Sequence, residues 1–171
     1  MEHAAIRIMG IDPGLRATGW GIIGASGTAI TYIASGSIRP DPRNALAWRL
    51  RELHEGLASV IKEHGPNEAA VEETFVNRDP QSALKLGHAR AIALAVPALG
   101  GLPVSEYAAN LVKKSVTGTG HAEKGQIALM VAILLPGAIA LGADAADALA
   151  VAITHARIRN WTSNLRSIGR A

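Results

Sequence analysis

The sequence predicts an α/β layered fold with a mixed sheet, because three strand-like segments come first and helices then alternate with further strands. Residues 6–11, 18–23 and 30–38 are rich in apolar and β-branched side chains, and Gly, Ser and Pro separate them. With 171 residues, 49% of them hydrophobic, the chain can bury one sizeable core. We expect one domain over residues 1–158 and a flexible, basic C-terminal tail over residues 159–171.

Helical periodicity begins after the third predicted strand. Leu46, Leu50, Leu53, Leu57 and Val60 recur at steps of four and three, which places them on one face of a helix. A Gly-Pro pair follows and supplies a conventional helix end. The pattern therefore predicts one amphipathic helix between the third and fourth strands.

Two further strands and four further helices complete the prediction. Residues 69–74 and 102–107 have strand character. Asp79 and Pro80 resemble the N-cap and first residue of a helix that Pro97 interrupts. The other predicted helices cover residues 108–116, 122–135 and 143–159.

The composition excludes several classes of protein. The chain contains no cysteine, so it has neither disulfides nor a thiolate zinc site. No apolar run reaches the roughly 18 residues that a membrane span needs, and the N-terminus lacks the features of a signal peptide. We therefore expect a soluble, cytosolic protein with no membrane partner.

Positive charge is distributed unevenly along the chain, whose net charge is +3. Residues 78–124 contain six Lys or Arg against three acidic residues, and only basic charged residues follow residue 156. This distribution suits a polyanionic partner. Solubilising surface charge explains it equally well, so charge alone leaves both interpretations open.

Four acidic residues interrupt or flank apolar runs: Asp12, Glu72, Asp144 and Asp147. Asp12 ends the first predicted strand, Glu72 lies in the fourth, and the last two lie three apart on one side of a helix. Gathered at one sheet edge, such carboxylates repel one another unless a cation relieves the repulsion, and their oxygen atoms favour Mg²⁺ or Mn²⁺. Two such ions can hydrolyse a phosphodiester.

Each carboxylate also has a simpler interpretation. Asp12 can form the turn at Pro13 and Gly14, and Asp144 can cap its helix. Glu72 and its neighbour Glu73 point to opposite faces of a strand, and periodicity alone does not choose between them. Only the joint occurrence of the carboxylates favours a metal site.

Five ordered segments carry a resemblance to a known family. They read GIDPGLRATGWG, VEETF, SALKLGHAR, VKKSVTGTGHAEK and ADAADALAVAITHA, and they extend over nearly the whole chain. They resemble the signature segments of the RuvC family of Holliday-junction resolvases. The resemblance implies a ribonuclease-H-like three-layer fold with a five-stranded mixed sheet flanked by helices. It also implies a homodimer that makes paired, metal-dependent nicks in a four-way DNA junction, with a branch-migration motor complex as a possible partner.

The resemblance assigns roles to individual residues. The family places its glutamate three residues before a phenylalanine, which selects Glu72, because Phe75 is the only Phe of the chain. Phe75 would then stack on an unpaired base at the junction, a contact worth roughly 1 to 3 kcal/mol. The implied metal ligands, which hold two Mg²⁺ ions that Mn²⁺ can replace, are Asp12, Glu72, Asp144 and Asp147. The implied DNA contacts are Phe75, Arg78, Lys113 and Lys124.

Departures from the family pattern and rival functions remain. Asp79, Ala91 and Pro97 differ from the usual residues, which leaves the geometry of the second helix open, and His121 and His155 have no assigned role. One rival is a non-catalytic protein that binds branched DNA, and another is a ribonuclease-H-like nuclease acting on RNA-DNA hybrids. A fragment of an actin-like kinase or ATPase shares the Asp-Pro-Gly start but needs more chain.

Overall fold

The computed structural model describes residues 5–74, 79–119, 124–138 and 142–168, without the side chains of Lys124 and of residues 163–168. Five strands form one sheet in the order β3-β2-β1-β4-β5. Strands β1, β2 and β3 pair antiparallel, whereas β4 pairs parallel to both β1 and β5, which confirms the predicted mixed sheet. The strands are β1 (Ile6–Asp12), β2 (Thr18–Ser26), β3 (Ala29–Ile38), β4 (Glu68–Glu73) and β5 (Val104–Ala108).

Helices cover both faces of this sheet and make a three-layer structure. On one face, apolar residues of the first two helices pack against Met9 and Ile11 of β1. On the other, the last three helices pack against Ile8 of β1, Ile23 of β2 and Ala70 of β4. The helices are α1 (Leu46–His64), α2 (Pro80–Leu99), α3 (Ala109–Thr117), α4 (Lys124–Leu134) and α5 (Ala143–Ile168).

Helix α5 lies unusually close to the sheet, and Gly10 permits this. A Cβ atom at Gly10 would lie 2.0 Å from the carbonyl oxygen of Ala148 and 2.7 Å from the backbone nitrogen of Ala152. No side chain fits in that space, so the helix backbone rests directly on β1. Contact at this distance fixes the position of α5 over the central strand.

The ends of two helices differ from the prediction. Pro97 does not interrupt α2, which continues to Leu99. It lies in the last turn, where its missing N–H costs one hydrogen bond, and the carbonyl of Pro97 accepts from the amide of Leu102 at 3.0 Å.

Helix α5 continues to Ile168 rather than ending at Arg159. Its extension contains neither Gly nor Pro before residue 169, so no residue there breaks the helix. The division into a domain of residues 1–158 and a tail of residues 159–171 stays a prediction. Within the described ranges, no helix is both long enough and apolar enough to span a membrane.

Candidate active site

Asp12 and Glu72 lie at the carboxyl ends of adjacent parallel strands. In the β1–β4 pairing Ile11 lies opposite Val71, and each carboxylate is the next residue along its strand. Successive side chains alternate between faces, so Asp12 shares the face of Ile8, and Glu72 the face of Ala70. Both carboxylates therefore lie on the face of the sheet that α5 covers.

The first two turns of α5 bring the other two carboxylates to this edge. Gly19 of β2 lies directly opposite Asp12 in the strand pairing. A Cβ atom at Gly19 would lie 1.9 Å from the carbonyl oxygen of Asp144. The backbone of Asp144 thus rests beside the end of β1, and Asp147 follows on the next turn of the helix. Asp12, Asp144 and Asp147 are all half-buried.

Glu72 is the carboxylate whose acidity the site changes most. Its pKa is raised from 4.5 to about 7, mainly by burial and in part by the negative charge of Asp147, while the positive charge of Lys113 opposes both. The pKa of Glu72 therefore depends on the charges of Asp147 in α5 and Lys113 in α3. Burial, reinforced by the charge of Asp147, therefore disfavours the ionised form of Glu72 in the absence of a cation.

Sequence analysis did not identify Arg39, which lies directly after β3. Its guanidinium donates a hydrogen bond to Oδ2 of Asp144 at 2.5 Å, and the two residues are 105 positions apart in the chain. The pairing depends on the registers of β2 and β3 and on the position of α5. No local pattern around Arg39 could have indicated it.

The donor set fits a divalent cation. All four groups are carboxylates, and clustered carboxylate oxygens are the ligands that Mg²⁺ and Mn²⁺ prefer. The raised pKa of Glu72 indicates that a cation would stabilise the ionised form. In the ranges that the structure describes, however, no three His, Asp or Glu side chains are grouped closely enough to hold a metal ion, and Asp144 is bound to Arg39.

The predicted DNA contacts divide into those that the structure describes and those that it does not. Lys113 on α3 is half-buried, and its charge acts on Glu72, so it belongs to this edge. The side chain of Lys124 at the start of α4, and all of Phe75, Arg78 and His121, lie outside the described residues.

His155 belongs to a different cluster. It is buried and forms hydrogen bonds with the hydroxyl of Tyr107 and the carboxylate of Glu68. Glu68 begins β4, and α5 runs from Asp144 near the end of β1 back to His155 near this point. His155 therefore lies halfway along α5, near the start of β4 and away from the carboxylates.

A mixed sheet in this order, with carboxylates at the ends of β1 and β4 and at the start of the last helix, defines a nuclease of the ribonuclease-H-like fold. A family profile described as "Crossover junction endodeoxyribonuclease RuvC" matches residues 8–155. The chain therefore belongs to the RuvC family. Nucleases of this family depend on a divalent metal ion.

Individual relatives agree with this assignment over nearly the full chain. The crossover junction endodeoxyribonuclease RuvC of Methylocella silvestris is 64% identical over 168 residues, covering 98% of this chain and 96% of that protein. The protein of the same name from Paramagnetospirillum magneticum is 58% identical over 166 residues, covering 96% and 100%.

Solved structures show the same fold. RuvC of T. thermophilus in complex with a Holliday junction substrate has a TM-score of 0.81 and 30% identity, covering 92% of this chain and 96% of that one. The yeast mitochondrial Holliday junction resolvase Ydc2 has a TM-score of 0.62 at 13% identity, covering 94% and 80%, and shares the fold.

Proposed function

We propose that this protein is a structure-selective endonuclease that resolves four-way DNA junctions by paired, metal-dependent nicks during homologous recombination and DNA repair. One observation carries the proposal: Asp12 and Glu72 end adjacent parallel strands on the face where the first two turns of α5 carry Asp144 and Asp147. These elements supply carboxylate oxygens of the kind that two-metal phosphodiester hydrolysis requires.

The carboxylates would hold two Mg²⁺ ions, which Mn²⁺ can replace. When bound, such ions activate a water molecule and stabilise the departing 3′ oxygen. Asp12 is central among the ligands, since Glu72 lies at the next strand end on one side and the backbone of Asp144 lies against Gly19 on the other. It is therefore our candidate for the ligand shared by both ions. The negative charge of Asp147 acts on Glu72, and Asp147 would be the fourth carboxylate ligand.

Basic and aromatic residues near this edge would bind the DNA. Lys113 lies close enough to Glu72 to lower its pKa, so it can pair with the phosphate that enters the site. Lys124 and Arg78 would contact the sugar-phosphate backbone of the DNA. Phe75 follows β4 by two residues and would stack on a base at the crossover.

Paired nicks require two active sites, so we propose a homodimer. Helix α2 carries an exposed apolar face, on which Leu84 is 66% exposed. This face lines an open cavity of about 560 Å³ together with Pro80, Ala83, Gly87, His88 and Ala91. A two-fold contact through α2 would bury it. We place the protein in the cytosol, where a branch-migration motor complex would be a further partner.

A cleavage assay with Asp12→Asn tests the proposed function. The substrates are a mobile four-way DNA junction, a linear duplex of matching sequence and an RNA-DNA hybrid, each with Mg²⁺ or with chelator. We expect paired nicks in the junction alone. Cleavage should fall at least about a hundredfold in Asp12→Asn, because the shared carboxylate is lost, while junction binding is retained.

Glu55→Gln provides the matched control for this assay. Glu55 is an exposed carboxylate on α1 that pairs with Arg51 and takes no part in the proposed site. The Glu55→Gln variant should cleave the junction like the unchanged protein.

Two outcomes of the assay would contradict the proposed function. Junction binding without cleavage in any metal would favour a non-catalytic branched-DNA-binding protein, and preferred cleavage of the hybrid would favour a ribonuclease.

A further inference from the structure

The ion pair between Arg39 and Asp144 connects the end of β3 to the first turn of α5. The guanidinium of Arg39 lies 2.5 Å from Oδ2 of Asp144, with side chains that are 64% and 31% exposed. The Nε atom of Arg39 donates to the hydroxyl of Ser37 at 3.2 Å, and the buried Pro40 follows. The guanidinium of Arg39 therefore donates to a hydroxyl of β3 and to one carboxylate of the candidate metal site.

This pair changes what Asp144 offers to a metal ion. A guanidinium is a permanent cation that satisfies carboxylate oxygens through charged hydrogen bonds. The guanidinium therefore neutralises the negative charge of Asp144 and engages its Oδ2 atom, which would otherwise be available to a divalent cation. In the described part of the chain, no three acidic or histidine side chains are grouped closely enough for a metal ion. Asp144 is bound to an internal cation instead.

We propose that Arg39 competes with the metal ions for Asp144, holding this carboxylate until a divalent ion displaces it. The inference rests on the proposed metal-dependent function and assigns a positioning role to a residue outside the carboxylate set. The exposure of Arg39 makes displacement feasible, because solvent-exposed ion pairs are weak. Once displaced, the guanidinium remains in solvent beside the site without an energetic obstacle.

The opposite role makes the opposite prediction. If Arg39 instead oriented Asp144 for the metal, as outer-shell partners of metal ligands do, its removal would weaken metal binding. If Arg39 competes, its removal strengthens metal binding. An exposed pair of this kind should change the dissociation constant by roughly two- to fivefold. The direction of the change thus decides between the two roles.

The test is calorimetric titration of the full chain with Mn²⁺ in the absence of DNA. We expect Arg39→Ala to bind Mn²⁺ roughly two- to fivefold more tightly than the unchanged protein, and Arg39→Lys, which keeps the charge and loses the planar fork, to show a smaller gain. The increase of Tm on adding Mn²⁺ provides a second measurement, because an ion that binds the folded state stabilises it. Unchanged or weaker Mn²⁺ binding by Arg39→Ala would overturn the proposal.

Two controls separate the possible failures. Arg43 lies four residues further along and pairs with Asp41, so Arg43→Ala removes the same charge from the same segment without touching Asp144. An equal gain in Arg43→Ala would indicate a general charge effect and would overturn the role of Arg39. Asp12→Asn tests the metal site itself: undiminished Mn²⁺ binding in that variant contradicts the proposed function, whereas weakened binding there with no gain in Arg39→Ala contradicts only this inference.

Discussion

Glu72 and Glu73 are neighbours of the same residue type with different surroundings. Glu72 shares the face of Ala70, under α5, whereas Glu73 shares the face of Val71, which packs in the cluster that contains Leu57 of α1. The negative charge of Asp147 acts on Glu72. One step along a strand therefore separates a proposed metal ligand from a glutamate outside the site.

The raised pKa of Glu72 predicts a pH-dependent cost in the metal-free protein. The pKa rises from 4.5 to about 7, so between these values the folded state binds the proton more tightly than the unfolded state. The free energy of unfolding therefore falls as pH rises through this window. In the absence of metal, the free energy of unfolding of Glu72→Gln, relative to that of the unchanged protein, should rise by about 2 kcal/mol between about pH 5 and about pH 8.

Urea unfolding in the presence of chelator measures this difference. Glu73→Gln, one residue away on the other face, is the control and should follow the pH dependence of the unchanged protein. If both variants follow the same pH profile, burial of the Glu72 carboxyl does not set its pKa.

At the scale of elements, the contact between α5 and β1 determines where Asp144 and Asp147 lie. Because a Cβ atom at Gly10 would come within 2.0 Å of the Ala148 carbonyl oxygen, the helix can approach only a bare backbone. This contact also sets the position of α5 relative to the candidate site, because Asp12 lies two residues further along β1.

Gly10→Ala should therefore destabilise the protein by at least about 2 kcal/mol, because the obstacle is backbone and cannot rotate away. Gly125→Ala in α4 is the matched control: nothing lies within 4 Å of its position, and alanine favours a helix. Chemical denaturation of both variants checks the prediction. Equal stability of the two would mean that α5 moves away from β1 without cost.

A polar cluster connects the middle of α5 to β4 and β5. Tyr107 Oη lies 2.7 Å from Nδ1 of His155, and Nε2 of His155 lies 2.8 Å from Oε2 of Glu68. Arg159 donates from Nε to Oε1 of Glu68 at 2.9 Å. Burial raises the pKa of Glu68, but the hydrogen bonds and charges of His155 and Arg159 together outweigh it and lower that pKa overall. Glu68 is therefore held ionised between two partners.

Glu68→Gln should reduce the free energy of unfolding by about 1 kcal/mol near neutral pH, because the charged hydrogen bonds are lost. A carboxyl with a lowered pKa stabilises the folded state above its ordinary pKa, and this contribution disappears as pH falls through the lowered value. The difference between the variant and the unchanged protein should thus vanish in acid. Unfolding curves at neutral pH and at about pH 3 test this. A difference that persists in acid would show that charge on Glu68 is not its source.

At the scale of the whole molecule, the unburied apolar face of α2 predicts the oligomeric state. Leu84→Glu places a charge in the proposed two-fold contact and should convert a dimer into a monomer, as sedimentation velocity would detect. Junction cleavage should then yield uncoordinated single nicks. Leu129→Glu is the control, since Leu129 is 61% exposed on α4, away from α2. Dimerisation that survives Leu84→Glu and fails in Leu129→Glu would move the interface to α4.

The order of strands and helices and the residue types of the candidate site follow from local sequence patterns. The apolar run of β1, which is buried on both faces, and the steps of four and three in α1, which is buried on one, are local consequences of burial, so they can be recognised without coordinates. The same holds for the N-cap of α2, where Asp79 accepts hydrogen bonds from the amides of Gln81 and Ser82. The five ordered segments carried the family.

Contacts between residues that are distant in the chain depend on the three-dimensional packing. The pairing of Arg39 with Asp144, the hydrogen bonds of His155 and the contact of Gly10 with Ala148 join positions far apart in the chain. Each depends on strand register and on how closely α5 approaches the sheet, and a local pattern records how buried a residue is but not which partner it meets. The carboxylates could therefore be proposed as a set from local patterns and the family resemblance, whereas the arginine that binds one of them could not.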